Sequence, residues 1–77
     1  MSFEELLITV QNAVYEKKGT KLDYDAILLE NGFDSVSIID LIVNIEEQFN
    51  VEFESSDLNY KTLKSIRTIS EQLQCMI

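Results

Sequence analysis

Few side chains of this sequence could do chemistry, and most of those lack the neighbours that chemistry needs. There is no histidine, so the commonest general base and the commonest metal ligand are both missing. Cys75 is the single cysteine and stands three residues from the end, with nothing beside it to draw off its proton; it reads as an apolar residue at a helix end, not as a nucleophile. Asp23 and Asp25 have the spacing of the first ligands of a calcium loop. Ile27 holds the next ligand position, however, and no glycine stands at the sixth, so no calcium is expected there. Hydroxyls remain, and among them Ser37, Ser55 and Ser56 compete with Ser35. A serine with no base beside it is not a catalyst, but it can receive a group that another enzyme transfers. Its ester to phosphate is stable, and the free N–H groups and positive dipole at a helix start favour a phosphate. Ser35 follows Gly32-Phe33-Asp34 at the end of a long connection, accessible to an enzyme. Ser37 falls inside the first turn of the helix that follows, and Ser55 and Ser56 read as caps of a later short helix. Spacing alone favours the plainer reading, in which Ser35 also only caps its helix.

The elements that position these groups are marked by two glycines, Gly19 and Gly32, in a chain without proline. Ser2 and Glu5 form an S-x-x-E capping box. Phe3, Leu6, Leu7, Val10 and Val14 then repeat at helical spacing, and Lys17, Lys18 and Gly19 make a suitable C-terminal end. Residues 20–34 form a long connection with too many apolar groups for a free loop; some are expected to be buried, with one helical turn near Asp25 to Leu29. A second helix is expected over Ser35 to Phe49, capped by Asp34 or Ser35. The segment VEFESSDLNYK breaks the period and can hold one short helix beginning at Ser55 or Ser56. The last helix is expected to begin at Thr62, with Leu63, Ile66, Ile69 and Leu73 as its apolar stripe. No segment alternates as a strand. The fold expected is all-α: one domain over residues 1–77, a small right-handed bundle of three main helices and a short one, with a long loop between the first and second.

The second helix carries more apolar surface than a small core needs. At roughly 100° per residue, Ile38, Leu41, Ile42, Ile45 and Phe49 share one sector, a sufficient core face. Val36, Ile39 and Val43 form a second stripe centred about 130° away. Asp40 and Glu47 flank that stripe on one side and Glu46 on the other, so it reads as a protein-binding ridge with carboxylates at its rim. The alternative is that the long loop packs over it; Ile39, nearest the core sector, is the residue expected to be partly buried.

Fourteen acidic residues against six basic give a net charge of −8, which disfavours nucleic acid and favours partners with basic docking surfaces. A lone cysteine excludes an internal disulfide, and no run of about 18 apolar residues could span a membrane. The first residues, MSFEELL, are acidic where a signal peptide is basic, so a cytoplasmic location is expected; the chain is also expected to be a monomer.

At Gly32-Phe33-Asp34-Ser35-Val36 the sequence resembles the acyl carrier protein family, which includes the peptidyl and aryl carrier domains. Asp34-Ser35-Val36 matches the family's D-S-L tripeptide, and SIIDLIVNIEEQF resembles its acidic second helix with the closing Glu46, Glu47 and Phe49. VEFESSDL resembles the turn into a short third helix, and TLKSIRTISEQL the final one. Val36 stands for the usual leucine, Ser37 replaces an acidic residue common in fatty-acid carriers, and the turn before the third helix lacks a frequent proline. The resemblance implies that Ser35 receives 4′-phosphopantetheine from coenzyme A through a magnesium-dependent phosphopantetheinyl transferase. Acyl or aminoacyl groups then ride as thioesters on the arm, and the carrier itself is not an enzyme. It also implies that Asp34, Asp40, Glu46 and Glu47, with Val36, Ile39 and Val43, meet the transferase and the loading and downstream enzymes. Fatty acid, polyketide, nonribosomal peptide and D-alanine pathways all use this architecture. An unmodified adaptor that binds partners through the acidic second helix is the competing expectation.

Overall fold

In the computed structural model, which describes all 77 residues, each helix begins where a side chain satisfies its first free N–H groups. Helix α1 (Phe3–Lys18) opens on the expected box: the Glu5 N–H donates to Ser2 Oγ (3.2 Å) and the Ser2 N–H to Glu5 Oε1 (3.0 Å). It ends at Gly19, whose φ of 72° is open to glycine and whose N–H donates to the Tyr15 carbonyl. Helix α2 (Ser35–Phe49) is capped by Asp34 and closes on Asn50 in the left-handed region. Helix α3 (Ile66–Met76) begins four residues later than the spacing predicts.

That shift has a tertiary cause. The Lys64 carbonyl turns away to accept the Leu28 N–H (2.9 Å), so the chain cannot continue as helix through it. Ser65 and Thr68 then cap each other reciprocally, with Thr68 N–H on Ser65 Oγ and Ser65 N–H on Thr68 Oγ1. Leu63 is buried as expected, but from the segment before α3. The short helix is a single 3-10 turn, Ser55–Asp57, and Glu54, not Ser55 or Ser56, takes its cap position. Asp57 holds the turn by accepting the Glu54 N–H (3.3 Å).

α1 packs against both α2 and α3. Leu6, Val10 and Val14 meet Leu41 and Ile45 of α2 and Ile66, Ile69 and Leu73 of α3 in one apolar core. The connection between α1 and α2 belongs to that core. Leu22, Leu28 and Phe33 are buried, and a 3-10 turn lies at Leu28–Glu30. Gln11 Nε2 donates to the Leu22 carbonyl (2.8 Å), and the Arg67 N–H donates to the Tyr24 carbonyl (2.9 Å). The Arg67 guanidinium lies over the Tyr24 ring and grips both Asp25 oxygens, at 2.6 and 3.2 Å. The start of α2 is therefore set by a strapped connection. No helix is long and apolar enough to cross a membrane.

The strap has a pH signature. The Arg67 hydrogen bond holds the Asp25 carboxyl below the usual range against an opposing desolvation, with the Arg67 charge adding to the lowering. A carboxyl lowered in the folded state adds stability above its unfolded pKa and loses it as pH falls through the folded one. The difference in melting midpoint between the wild type and Asp25→Asn is thus expected to be level above about pH 5 and to close as the pH falls below about 4. A difference that holds down to pH 2 would contradict the strap.

Candidate functional site

Ser35 is the first residue of α2, one position inside the cap, and is exposed. The division of labour with Asp34 decides what its hydroxyl is free to do. Asp34 Oδ1 accepts the Ser37 N–H at 2.8 Å, and the Ile38 N–H closes on the Asp34 carbonyl. Hydrogen bonds from the Ser37 amide and then the Ser37 hydroxyl, with the charge of Lys18 adding, hold the Asp34 carboxyl below its ordinary range. The cap is therefore Asp34, ionised, and the Ser35 hydroxyl has no partner within the chain. The Ser35 and Val36 N–H groups have none either, as expected of the first positions of a helix. An exposed hydroxyl, two free donors and the positive end of a 15-residue helix converge here.

Beside Ser35 opens an apolar cleft of about 230 Å³, lined by Ser35, Ile38, Ile39, Leu58, Asn59, Tyr60 and Leu63. Its far wall, residues 58–63, is not helical. It is held by Asn59, whose Oδ1 accepts the Thr62 N–H (3.1 Å) and whose Nδ2 donates to the Ser56 carbonyl (2.8 Å). Sequence reasoning passed over this wall because the segment has no period. The signal available was its pair of large apolar side chains, Leu58 and Tyr60, outside any stripe; they are 40% and 56% exposed.

The second stripe of α2 is left uncovered by the long connection. Val36 is 71% exposed, Ile39 42% and Val43 43%, whereas Ile38, Leu41, Ile42 and Ile45 are buried. Ile39 and Val43 are partly covered to the same degree. A shallower groove continues past Val43 between Glu46, Glu47, Val51, Glu52 and Leu58. The rim carboxylates differ in what they are free to do. Asp40 lies 3.7 Å from Lys17 and stays largely exposed, a weak pairing at that distance. Glu47 is exposed. Glu46 is half-buried and its Oε2 accepts the N–H of the buried Phe53 at 2.6 Å, so it closes the turn after α2. Removing that acceptor strands a buried amide, so Glu46→Ala is expected to cost about 1–3 kcal/mol in urea unfolding. Glu47→Ala should stay within about 0.5 kcal/mol, and equal costs for the two would contradict this assignment.

The family model described as a phosphopantetheine attachment site matches residues 7–73, nearly the whole chain. The chain belongs to that family. No curated protein and no solved structure matches it. The match agrees with the acyl carrier resemblance seen at Asp34-Ser35-Val36 and with the all-helical fold. Members carry 4′-phosphopantetheine covalently, act as carriers and not as catalysts, and work with a phosphopantetheinyl transferase and with biosynthetic enzymes. When bound, the arm supplies a thiol that holds cargo as a thioester. The residues at the start of α2 suit such a phosphodiester: an accessible alcohol to ester, two unbonded N–H groups and a helix dipole for its charge, and an adjoining apolar cleft.

Proposed function

We propose that this chain carries acyl or aminoacyl intermediates as thioesters on a 4′-phosphopantetheine arm attached to Ser35, for fatty acid or specialised polyketide or nonribosomal peptide biosynthesis. The observation that carries the reading is the freedom of Ser35. Asp34 alone does the capping, so the neighbouring hydroxyl is an accessible alcohol at a positive helix end with no structural duty. In the transfer, a new bond forms between Ser35 Oγ and the phosphorus next to the pantetheine, the pyrophosphate bond of coenzyme A breaks with adenosine 3′,5′-bisphosphate as the leaving group, and the serine proton passes to a base. The transferase supplies that base in this reading, because the neighbouring Asp34 is held by the Ser37 N–H with its carboxyl below the ordinary range.

The partner face in this reading is the uncovered stripe Val36, Ile39 and Val43, with Asp34, Asp40 and Glu47 at its rim and Glu46 behind it. Its apolar centre would supply the contact energy and its carboxylates the encounter rate with basic enzymes. The cleft between α2 and Leu58, Tyr60 and Leu63 adjoins the attachment point and suits the apolar part of a tethered group.

The deciding experiment is intact-mass analysis after incubation with coenzyme A, magnesium and a broad-specificity phosphopantetheinyl transferase. One added phosphopantetheine is expected, followed by thioester formation when a loading enzyme is supplied. A chain that gains no mass would instead be an unmodified adaptor of the same fold.

A further inference from the structure

Lys18, the last residue of α1, lies beside the start of α2: its Nζ is 5.1 Å from the centre of the Phe33 ring, two residues before Ser35. It has no carboxylate partner. The chain's two ion pairs are Lys17 with Asp40 and Arg67 with Asp25. Asp34 is near enough for its carboxyl to respond to the Lys18 charge, yet its oxygen is committed to the Ser37 amide. Lys18 complements the C-terminal end of α1 and covers the Phe33 ring, and no carboxylate neutralises its charge.

A phosphodiester on Ser35 would put a permanent negative charge next to the ionised Asp34. Neighbouring like charges repel, modestly at an exposed site, and a cation or donor between them offsets the repulsion. The free Ser35 and Val36 amides supply donors but no full charge. Lysine carries a point charge on a flexible four-carbon stem, able to leave a ring face and meet an anion close by.

We propose that Lys18 is the cation that holds the phosphate of the arm, moving from the Phe33 ring to a place between that phosphate and the Asp34 carboxylate. The inference rests on the reading of Ser35 as the attachment point. Lys18 then fixes the direction in which the arm leaves the protein and makes the modified state electrostatically tolerable. Lys61, which follows Tyr60 of the cleft wall in sequence and is exposed, serves as the control.

The test compares apo and modified protein, with modification first verified by intact mass. In lysine-labelled protein, the Lys18 ammonium is expected to shift in the ¹⁵N–¹H spectrum on modification, and its hydrogen exchange with solvent to slow several-fold. The ³¹P resonance of the arm is expected to move in Lys18→Gln, to stay at the wild-type position in Lys61→Gln, and to be restored toward it in Lys18→Arg. A modified protein whose Lys18 ammonium exchanges as in the apo form, or whose ³¹P resonance is unchanged by Lys18→Gln, overturns the proposal and leaves the attachment at Ser35 standing. A chain that gains no phosphopantetheine removes both, and the mass spectrum alone reports that outcome.

Discussion

A Ser35→Ala chain is expected to gain no phosphopantetheine while melting within about 0.5 kcal/mol of the wild type. The two halves of that expectation separate the alternatives. If Ser35 were the cap of α2, alanine there would cost about 1 kcal/mol and the helix would fray. The geometry assigns the cap to Asp34, through its bond to the Ser37 amide, and places Ser35 at the first helical position, where alanine is well tolerated. Loss of modification with stability retained is therefore the signature of an attachment point. Ser37→Ala, Ser55→Ala and Ser56→Ala should each still gain one arm. Ser37 is only half-exposed inside the first turn, and Ser55 and Ser56 lie in the 3-10 turn Ser55–Asp57, away from the start of any long helix. Mass gain that survives Ser35→Ala would move the site to one of these and sink the assignment.

Most of the scaffold behind Ser35 was legible because its signals are local. A capping box at Ser2 and Glu5, a glycine at position 19 and a polar cap at Asp34 each act within one turn, and the structure places α1 and α2 where those signals put them. The start of α3 was not legible, because the decisive interaction is remote. Leu63, Ile66, Ile69 and Leu73 keep helical spacing straight across Ser65, so periodicity runs past the true boundary. The break comes from Leu28, dozens of positions upstream, taking the Lys64 carbonyl. The role of Glu46 was hidden for a similar reason: its position on the helix wheel is at the rim, and only the fold brings the Phe53 amide to it. The cleft beside Ser35 needed both of its walls. The sequence shows the Ile38 and Ile39 side, but Leu58 and Tyr60 reach it through the Asn59 turn, whose hydrogen bonds follow no periodic pattern.

The two faces of α2 are expected to respond in opposite ways to mutation. Leu41→Ala or Ile45→Ala removes a fully buried side chain from the centre of the core and should cost about 2–5 kcal/mol. A domain of this length has only about 4–12 kcal/mol to lose at 0.05–0.15 kcal/mol per residue, so such variants should be largely destabilised or unfolded at modest urea. Val36→Ala, Ile39→Ala and Val43→Ala remove side chains that are 71%, 42% and 43% exposed, and each should cost less than about 1 kcal/mol of stability. If these three make the apolar centre of a docking surface, their loss falls on kcat/KM for the transferase and later enzymes. Ile39, between the cleft and the stripe, should show the largest effect, about tenfold for each 1.4 kcal/mol of contact energy lost. Charge removal at Asp40 or Glu47 should act mainly on the association rate, and its effect should shrink at high salt. The pairing of results is what tests the face. Stable variants with unimpaired transfer would return Val36, Ile39 and Val43 to the status of ordinary surface residues, while unstable ones would place them in the core. Only stability kept with transfer lost supports a helix that builds the fold with one side and is read by other proteins on the other.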